Sequence, residues 1–227
     1  MFVEQRMYTA HPGGKLPAWL KLYETMACPV STKHMGPLMG FFVTEFGPLN
    51  RAVFLRSFND LADRDRGAAA REQDPEWVAF RAESGKSGAL AQQENKLIIP
   101  VAWSPAQKAG EPFVRTLPGE TMIIDHRTYD FHPGKMQLWL DAYRDTALAV
   151  QKKHLGQFIF MGTTEVGQIN QVVFMWAYES MSARSRRRGE MDKDPAWAEF
   201  RRASGQFGAL RQQTNMILKP TAFSPIK

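Results

Sequence analysis

The feature that most constrains the fold of this chain is an internal repeat. Its two halves match at a constant offset of 120 positions, with KHMG at Lys33–Gly36 facing KHLG at Lys153–Gly156, and DPEWVAFR at Asp74–Arg81 facing DPAWAEFR at Asp194–Arg201. Self-similarity at a fixed offset is typical of a duplicated structural unit. We therefore interpret the 227-residue sequence as a tandem duplication of a module of about 105 residues.

The boundary between the two halves lies in a short segment of different composition. Each half closes with Ser-Pro, at Ser104 and at Ser224. Residues 107–119 contain two prolines and two glycines and show no hydrophobic periodicity, which is typical of a linker. We predict a first module over residues 1–106, a linker over 107–119 and a second module over 120–227.

Each half contains the same order of predicted secondary structure. Pro29, which has no counterpart in the second half, predicts a kinked or shortened first helix there. The second half repeats the elements of the first at the equivalent positions. Those of the first half are a strand at Phe2–Tyr8, an amphipathic helix running towards His34, a β-hairpin over Leu38–Glu45 and Asn50–Phe58, a helix from near Asp60, a helix capped by Asp74, and a last strand at Gln93–Ile99.

The order βαββαβ, found twice, predicts an α+β fold made of two ferredoxin-like modules. Helices in such a module cover one face of its sheet and leave the other apolar face open, so a partner must bury that face. We expect the two modules to pack sheet to sheet as an intramolecular dimeric α+β barrel. The chain is then a monomer with an internal pseudo-dimer, or forms a homo-oligomer through other surfaces.

Charge and cysteine usage limit the partners and the compartment. The formal charge of +6 lies mostly in the second half, where Arg184 and residues 186–188 form a cluster. No aromatic residues alternate with these arginines, so a solvated helix face is favoured over specific nucleic-acid binding. No apolar run is long enough to span a membrane, and the N-terminus lacks the pattern of a signal peptide. The single cysteine, Cys28, favours a cytoplasmic location.

A set of motifs in the same order in both halves resembles the NIPSNAP family. The resemblance covers nearly the whole chain apart from the linker. The motifs are Arg-x-Tyr on the first strand, a His-Pro-Gly turn, Lys-His-x-Gly, Thr-Glu-x-Gly-x-x-Asn, Asp-Pro-x-Trp and, in the second half, Phe-x-Trp-x-Tyr at Phe174–Tyr178 and Pro-x-x-Phe-Ser-Pro at Pro220–Pro225.

The resemblance implies the dimeric α+β barrel fold. That superfamily contains cofactor-free monooxygenases, isomerases, haem enzymes and proteins with no known chemistry. The second half keeps the motif better, because Trp176 and Tyr178 stand where the first half has Arg56 and Phe58. A single active site is therefore expected in one half, with the other half as its support.

The first strand of each half carries candidate binding residues. An arginine and a tyrosine on one face suit a cavity in which the arginine binds an anionic group and the tyrosine donates a hydrogen bond. The favoured alternative is an ion pair that plugs the barrel, or a pair with Glu45 or Glu165 across the sheet, because an unpaired buried charge is costly. The residues concerned are Glu4, Arg6 and Tyr8, and then Asp125, Arg127 and Tyr129.

His34 and His154 follow the first helix of each half. Cationic side chains are favoured at a helix C-terminus, so a capping role is expected for both. The functional alternative is a general base or an axial haem ligand. No cofactor is otherwise indicated, and no spacing of histidine, cysteine or glutamate predicts a metal site.

Two functions from different classes remain open. The first is binding of a small apolar or aromatic molecule in a barrel cavity, with cofactor-free or haem-dependent chemistry such as isomerisation, dehydration or oxidation; whether the protein is an enzyme is left open. The second is a non-catalytic scaffold with a filled barrel and a basic partner-binding surface. The candidate ligand-binding residues are Arg127, Tyr129, Glu165, Trp176, Tyr178, His154, Arg6, Tyr8 and Glu45.

Overall fold

The computed structural model describes residues 1–113 and 122–226, so part of the predicted linker lies outside the described residues. Within these ranges the strands are β1 Phe2–Ala10, β2 Leu38–Phe46, β3 Arg51–Phe58, β4 Leu90–Pro100, β5 Ile123–Phe131, β6 Gln157–Val166, β7 Gln171–Tyr178 and β8 Leu210–Pro220. The α-helices are α1 Lys15–Leu22, α2 Cys28–Met35, α3 Leu61–Gln73, α4 Pro75–Ser87, α5 Met136–Ala142, α6 Leu148–His154, α7 Met181–Met191 and α8 Pro195–Gln206.

Each module has the strand order of a ferredoxin-like sheet. In the first module the order is β4-β1-β3-β2, and in the second it is β8-β5-β7-β6, with all neighbours antiparallel. The helices lie on one face of each sheet, as the βαββαβ pattern predicts. The α+β class and the two ferredoxin-like modules are confirmed.

The two sheets join at their edges into one closed barrel. Strand β2 pairs with β8 and strand β4 pairs with β6, so every edge strand of one module is covered by the other. At the β4–β6 junction a Cβ on Gly162 would lie 2.6 Å from Ile98 Cγ2 and 2.7 Å from the Ile99 carbonyl oxygen. Only glycine allows the strands to approach this closely.

The inner faces of the strands fill the barrel. Apolar side chains from both modules form one buried cluster there, which includes Leu55, Ile98, Ile124 and Met175. Phe113, in the described part of the predicted linker, packs into the same cluster with its ring 5.5 Å from that of Phe160. Two further clusters lie outside the barrel, one between each sheet and its helices.

One polar pair crosses the barrel interior. His126 Nε2 lies 2.8 Å from Gln5 Oε1, which joins β5 to β1 on the opposite side of the barrel. Burial, together with the nearby charge of Lys96, lowers the pKa of His126 to about 3. The imidazole is therefore neutral in the folded protein at ordinary pH.

The helices begin where the sequence places their caps. Asp60 Oδ1 accepts a hydrogen bond from the Asp63 amide at 2.7 Å, and Ser180 Oγ accepts one from the Ala183 amide at 3.1 Å. These side chains satisfy amides that the first helical turn leaves unpaired. No helix in the described part of the chain is both long and apolar enough to cross a bilayer.

A π-helical turn interrupts the first helix of both modules. It covers Tyr23–Ala27 in one and Tyr143–Ala147 in the other. Pro29 lies directly after this turn, near the start of α2. Because the second module has the same π-helical turn without a proline, Pro29 is not the cause of this interruption.

The Ser-Pro segment that ends each module binds to the other module. Ser104 Oγ accepts a hydrogen bond from the Met161 amide, and Ser224 Oγ accepts one from the Phe41 amide, both at 3.1 Å. The Phe223 ring lies 4.7 Å from that of Phe41. We call residues 101–106 and 221–226 the crossed tails, because each completes the aromatic core of the opposite module.

We expect the free energy of unfolding to decrease as the pH is lowered, because of His126. The unfolded chain takes up a proton below its pKa of 6.5, whereas the folded chain does so only near pH 3. The contribution of neutral His126 to the free energy of unfolding is therefore complete above pH 6.5. Below that pH it decreases by up to about 1.4 kcal/mol for each pH unit. In His126→Gln, which places at 126 the residue type of Gln5, this part of the slope should vanish. Denaturant unfolding of both proteins between pH 4.5 and 8 measures it, and parallel slopes would contradict the assignment.

Removing an aromatic ring from a crossed tail should weaken the opposite module. We expect Phe223→Ala to lower the free energy of unfolding by about 2 kcal/mol, because the ring is half-buried against Phe41. Hydrogen exchange should rise first around Phe41 and Tyr23 of the first module. Faster exchange confined to β8 would show that the tail stabilises its own module instead.

Candidate functional site

The structure places a cavity between the sheet and the helices of each module. The first cavity has a volume of about 430 Å³ and lies under α1, α3 and α4, and the second has a volume of about 480 Å³ and lies under α5, α7 and α8. These volumes fall in the range of small-molecule sites. The cavities are therefore outside the closed sheet, which corrects the expected location in the barrel, because apolar side chains occupy the barrel interior.

The alternation along β1 turns one polar row towards the first cavity. Arg6 and Tyr8 line it together with Glu4, while Val3 and Gln5 point into the barrel. Arg6 Nη2 contacts Glu4 Oε1 at 2.9 Å, and Arg6 Nη1 donates to the Tyr8 hydroxyl at 2.7 Å. The Tyr8 hydroxyl accepts this hydrogen bond and keeps its own proton for another acceptor.

Glu4 is held between two arginines. Its Oε1 atom also accepts a hydrogen bond from Arg64 at 2.9 Å, and its side chain is only 3% exposed. Burial acts to raise the pKa of Glu4, but the charges and hydrogen bonds of Arg6 and Arg64 outweigh it and hold this pKa below its ordinary value. The ion pair expected for this strand is present, on the helix side of the sheet rather than as a plug in the barrel.

The second module repeats this arrangement. Arg127 Nε contacts Asp125 Oδ2 at 3.2 Å, and Arg127 Nη1 donates to the Tyr129 hydroxyl at 2.9 Å. Arg184 on α7 donates to the same Asp125 oxygen at 2.8 Å. The pair of a carboxylate with two arginines is thus a shared feature of the two repeats.

The two cavities differ on their helix side. In the first, Glu72 accepts hydrogen bonds from Arg71 at 3.0 Å, from Arg81 at 2.6 Å and from Trp77 Nε1 at 2.9 Å. The Arg71 guanidinium lies over the Trp77 ring, 4.0 Å from its centroid. Burial lowers the pKa of Arg71, because its charge is removed from water.

Arg56 is the most unusual group in the first cavity. It is only 5% exposed, and it donates one hydrogen bond to the Gly36 carbonyl oxygen. It forms no salt bridge with any carboxylate among the described residues, although the Tyr23 phenol lies close to it. Burial raises the pKa of Tyr23, and Arg56 opposes that rise.

The second module has uncharged residues at the equivalent positions, and Trp176 Nε1 is buried there without a hydrogen-bond partner of standard geometry among the described residues. Trp176 replaces Arg56, and Met191 replaces Arg71, both fully buried. Gln151 replaces Ser31 and accepts a hydrogen bond from the Tyr143 hydroxyl. The second cavity instead has Arg188, which is partly exposed to solvent.

Four of the nine candidate residues line the cavities. They are Arg6 and Tyr8 in the first cavity, and Arg127 and Tyr129 in the second. Trp176 and Tyr178 lie in the core between β7 and the helices, outside the cavity walls. Burial, together with the nearby charge of Asp125, raises the pKa of Tyr178 to about 12.

Glu45 and Glu165 lie away from both cavities. Each is exposed near the end of its strand, β2 or β6, and Glu45 contacts Lys219 at 2.9 Å. Pairing with the strand arginines across the sheet, which the sequence left open, does not occur, because Arg6 and Arg127 bind the acidic residue of their own strand.

His34 and His154 hold two helices together. His34 Nε2 lies 2.8 Å from Asp74 Oδ2, and His154 Nε2 lies 2.7 Å from Asp194 Oδ2. Hydrogen bonds from His34 and Lys33 hold the pKa of Asp74 well below its ordinary value. Since Asp74 and Asp194 also cap α4 and α8, these histidines connect helix ends and lie outside the cavity walls.

The arginine cluster on α7 is divided among different contacts. Arg184 binds Asp125, Arg187 binds Glu179 and the Leu155 carbonyl oxygen, and Arg188 lines the second cavity. Only Arg186 remains highly exposed, 3.9 Å from Glu190. The cluster is therefore not one continuous basic surface.

Sequence reasoning missed Ser31, Arg56 and Arg71 as cavity residues. The signal that identifies them is the difference between the repeats, since each stands opposite a residue of another chemical type at an offset of 120 positions. Among the described residues, no group of three or more His, Cys, Asp or Glu side chains is arranged to hold a metal ion.

The comparison with known families agrees with the repeat. The NIPSNAP family model matches residues 3–105 and again residues 124–225, once in each module. The chain belongs to the NIPSNAP family. NipSnap homolog 3A from Homo sapiens is 28% identical over 100% of this chain and 86% of its own length, and NipSnap homolog 3B from Mus musculus is 27% identical over the same shares.

A solved structure supports the complete barrel of this NIPSNAP protein. The crystal structure of an anthrone oxidase-like protein has a TM-score of 0.61 and covers 97% of this chain and 91% of its own. At 12% sequence identity this likeness concerns the fold alone. It shows that both modules together have the architecture of a known α+β barrel.

The two kinds of buried arginine should differ in their effect on stability. We expect Arg56→Met to raise the free energy of unfolding by about 1 kcal/mol, because a buried cation without a carboxylate is replaced by an apolar chain. Arg6→Met should lower it by about 3 kcal/mol, since Glu4 then keeps only Arg64. Denaturant unfolding at pH 7 compares the two, and a large loss in Arg56→Met would contradict this interpretation.

Proposed function

We propose that this NIPSNAP protein binds small apolar or aromatic molecules in the cavities between its sheets and helices. The observation that carries the proposal is the composition of the two walls, which combine aromatic rings with charged and polar side chains. Each cavity has an aromatic ring at five equivalent positions. These are Trp19, Tyr23, Phe54, Trp77 and Phe80 in the first, and Trp139, Tyr143, Phe174, Trp197 and Phe200 in the second.

A tyrosine hydroxyl in the wall of each cavity can orient a bound ligand. Tyr8 and Tyr129 each accept a hydrogen bond from a strand arginine, so their protons remain available to a ligand. A wall that combines aromatic rings with fixed polar groups is typical of sites that bind an apolar body and orient its polar substituent.

Chemistry without a cofactor, such as isomerisation, dehydration or oxidation, remains a prediction. Tyr8 and Tyr129 are the acid–base groups of the two cavities that such a reaction would use first. Haem-dependent chemistry is left out of the proposal, because His34 and His154 bind aspartates and no histidine lines either cavity in the described part of the chain. A cytoplasmic location remains a prediction that rests on the single free Cys28.

The alternative is a scaffold protein without a ligand. The observation that favours it is the barrel interior, which is occupied by a cluster of buried apolar side chains. The division of the α7 arginines among internal contacts argues against the basic partner surface that this alternative requires. We therefore place the small-molecule function first.

Two glycines allow each cavity to be closed separately. Gly85 lines the first cavity and Gly205 the second, and an added Cβ would meet no atom within 4 Å at either position. We expect 2-naphthamide, a neutral aromatic probe, to bind the unmodified protein with a dissociation constant on the order of 0.1–1 mM. Gly85→Phe and Gly205→Phe should each remove part of the binding heat, and the double variant all of it.

Gly189→Phe is the matched control for this experiment. Gly189 lies on the exposed side of α7, lines neither cavity and also has no atom within 4 Å of an added Cβ. Isothermal titration calorimetry should give unchanged binding in this variant. If the probe does not bind at millimolar concentration, or binds the double variant normally, the proposed function is wrong.

A further inference from the structure

Three polar groups of the first cavity are buried without a partner. Arg56 Nη2, Arg71 Nε and Ser31 Oγ have no hydrogen-bond partner of standard geometry among the described residues, and all three residues line this cavity. Ser31 is 1% exposed, Arg56 5% and Arg71 9%, so water does not satisfy these groups from outside. Each is a donor, and two of them carry positive charge.

Such a set of donors destabilises the free protein. A buried donor without an acceptor loses its hydration and gains nothing in return, and a buried charge without a counter-charge is worse. The second repeat shows that the fold does not need them, because it has Trp176 and Met191 at the positions of the two arginines. The cost in the first repeat is explained if a ligand supplies the missing acceptors.

The charges that line the first cavity favour an anion. Its wall contains Arg6, Arg56, Arg71 and Arg81 but only Glu4 and Glu72 as acidic residues. Glu4 is held by Arg6 and Arg64, and Glu72 is shared between Arg71 and Arg81. No acidic residue remains for Arg56, which is therefore the cation that most requires a counter-charge.

The second cavity offers an anion a weaker site. Its comparable cation, Arg188, is partly exposed, so water already solvates the guanidinium. Arg127 is bound to Asp125, and Arg201 lies 3.9 Å from Asp192. Among the described residues that line either cavity, the buried donors without a partner are those of Ser31, Arg56 and Arg71 in the first.

We propose that the first cavity binds an aromatic carboxylate, with the carboxylate against Arg56, Arg71 and Ser31 and the ring among the aromatic side chains. A carboxylate offers about four lone pairs in a plane, which matches two guanidinium groups and a hydroxyl. The Tyr23 phenol, beside Arg56, provides one more donor. This assignment rests on the proposed function and adds the ligand class and the module that binds it.

The test compares 2-naphthoate with its neutral isostere 2-naphthamide by calorimetry. We expect the unmodified protein to bind 2-naphthoate about tenfold more tightly than the amide, as hydrogen bonds between buried charged groups allow. Arg56→Met and Arg71→Met should each remove that preference by weakening the binding of 2-naphthoate. Circular dichroism of each variant checks that it is folded.

Arg66→Met is the matched control. Arg66 lies on α3 like Arg71, but its side chain is 71% exposed and lines neither cavity. The Arg66→Met substitution removes one positive charge from the same helix as Arg71→Met. The Arg66→Met variant should therefore bind 2-naphthoate and 2-naphthamide as the unmodified protein does. If Arg66→Met and Arg71→Met weaken the preference for 2-naphthoate equally, the preference comes from the overall charge of the protein and not from the cavity, and the proposal is overturned.

The outcomes separate this inference from the function on which it rests. If neither probe binds, the proposed function fails. If both bind equally well, the cavity function stands and the carboxylate assignment is overturned. Loss of the preference in Arg188→Gln rather than in Arg56→Met would also overturn it, and so would tighter binding of 2-naphthyl phosphate than of 2-naphthoate.

Discussion

Two edge pairings that neither module can make with itself hold this structure together. Strand β2 reaches β8 and strand β4 reaches β6, and these contacts close the barrel and bury the inner faces of both sheets. Without them each module would expose two strand edges and one apolar face. Because closure uses the inner faces and the edges, the outer faces under the helices are free to form cavities, and residues can change there without disturbing the barrel.

The two cavities share one strand motif and differ in the residues next to it. Both repeats keep the strand motif in which a carboxylate holds an arginine and the arginine contacts a tyrosine, as in Glu4, Arg6 and Tyr8. Next to this shared motif the first cavity has a buried charge at Arg56, whereas in the second module Trp176 stands at the equivalent position, in the core outside the cavity wall. The common part explains why the repeats remain recognisable, and the divergent part is where a difference in ligand would arise.

Much of the fold was predictable from the sequence, and the site only in part. The repeat and the βαββαβ order predict the modules and their pairing, because burial of one sheet face leaves few other arrangements. The alternation along β1 separates Gln5 from Arg6 but does not say which row faces the barrel, since both rows contain polar residues. In the sequence Arg56 is a departure from the family motif, and its burial without a carboxylate makes it a candidate binding group. Contacts between residues far apart in sequence, such as His154 with Asp194, leave no local pattern.

The location of both halves in one polypeptide has a consequence for symmetry. In a dimer of identical single modules, every substitution is present twice, so an unpaired buried arginine would weaken both halves at once. Duplication within one chain confines that penalty to one half, while the equivalent position of the other half can hold an uncharged residue. Arg56 and Trp176 are such a pair. The covalent link between the modules therefore makes one specialised site per barrel accessible to evolution, where a symmetric dimer would have to carry two or none.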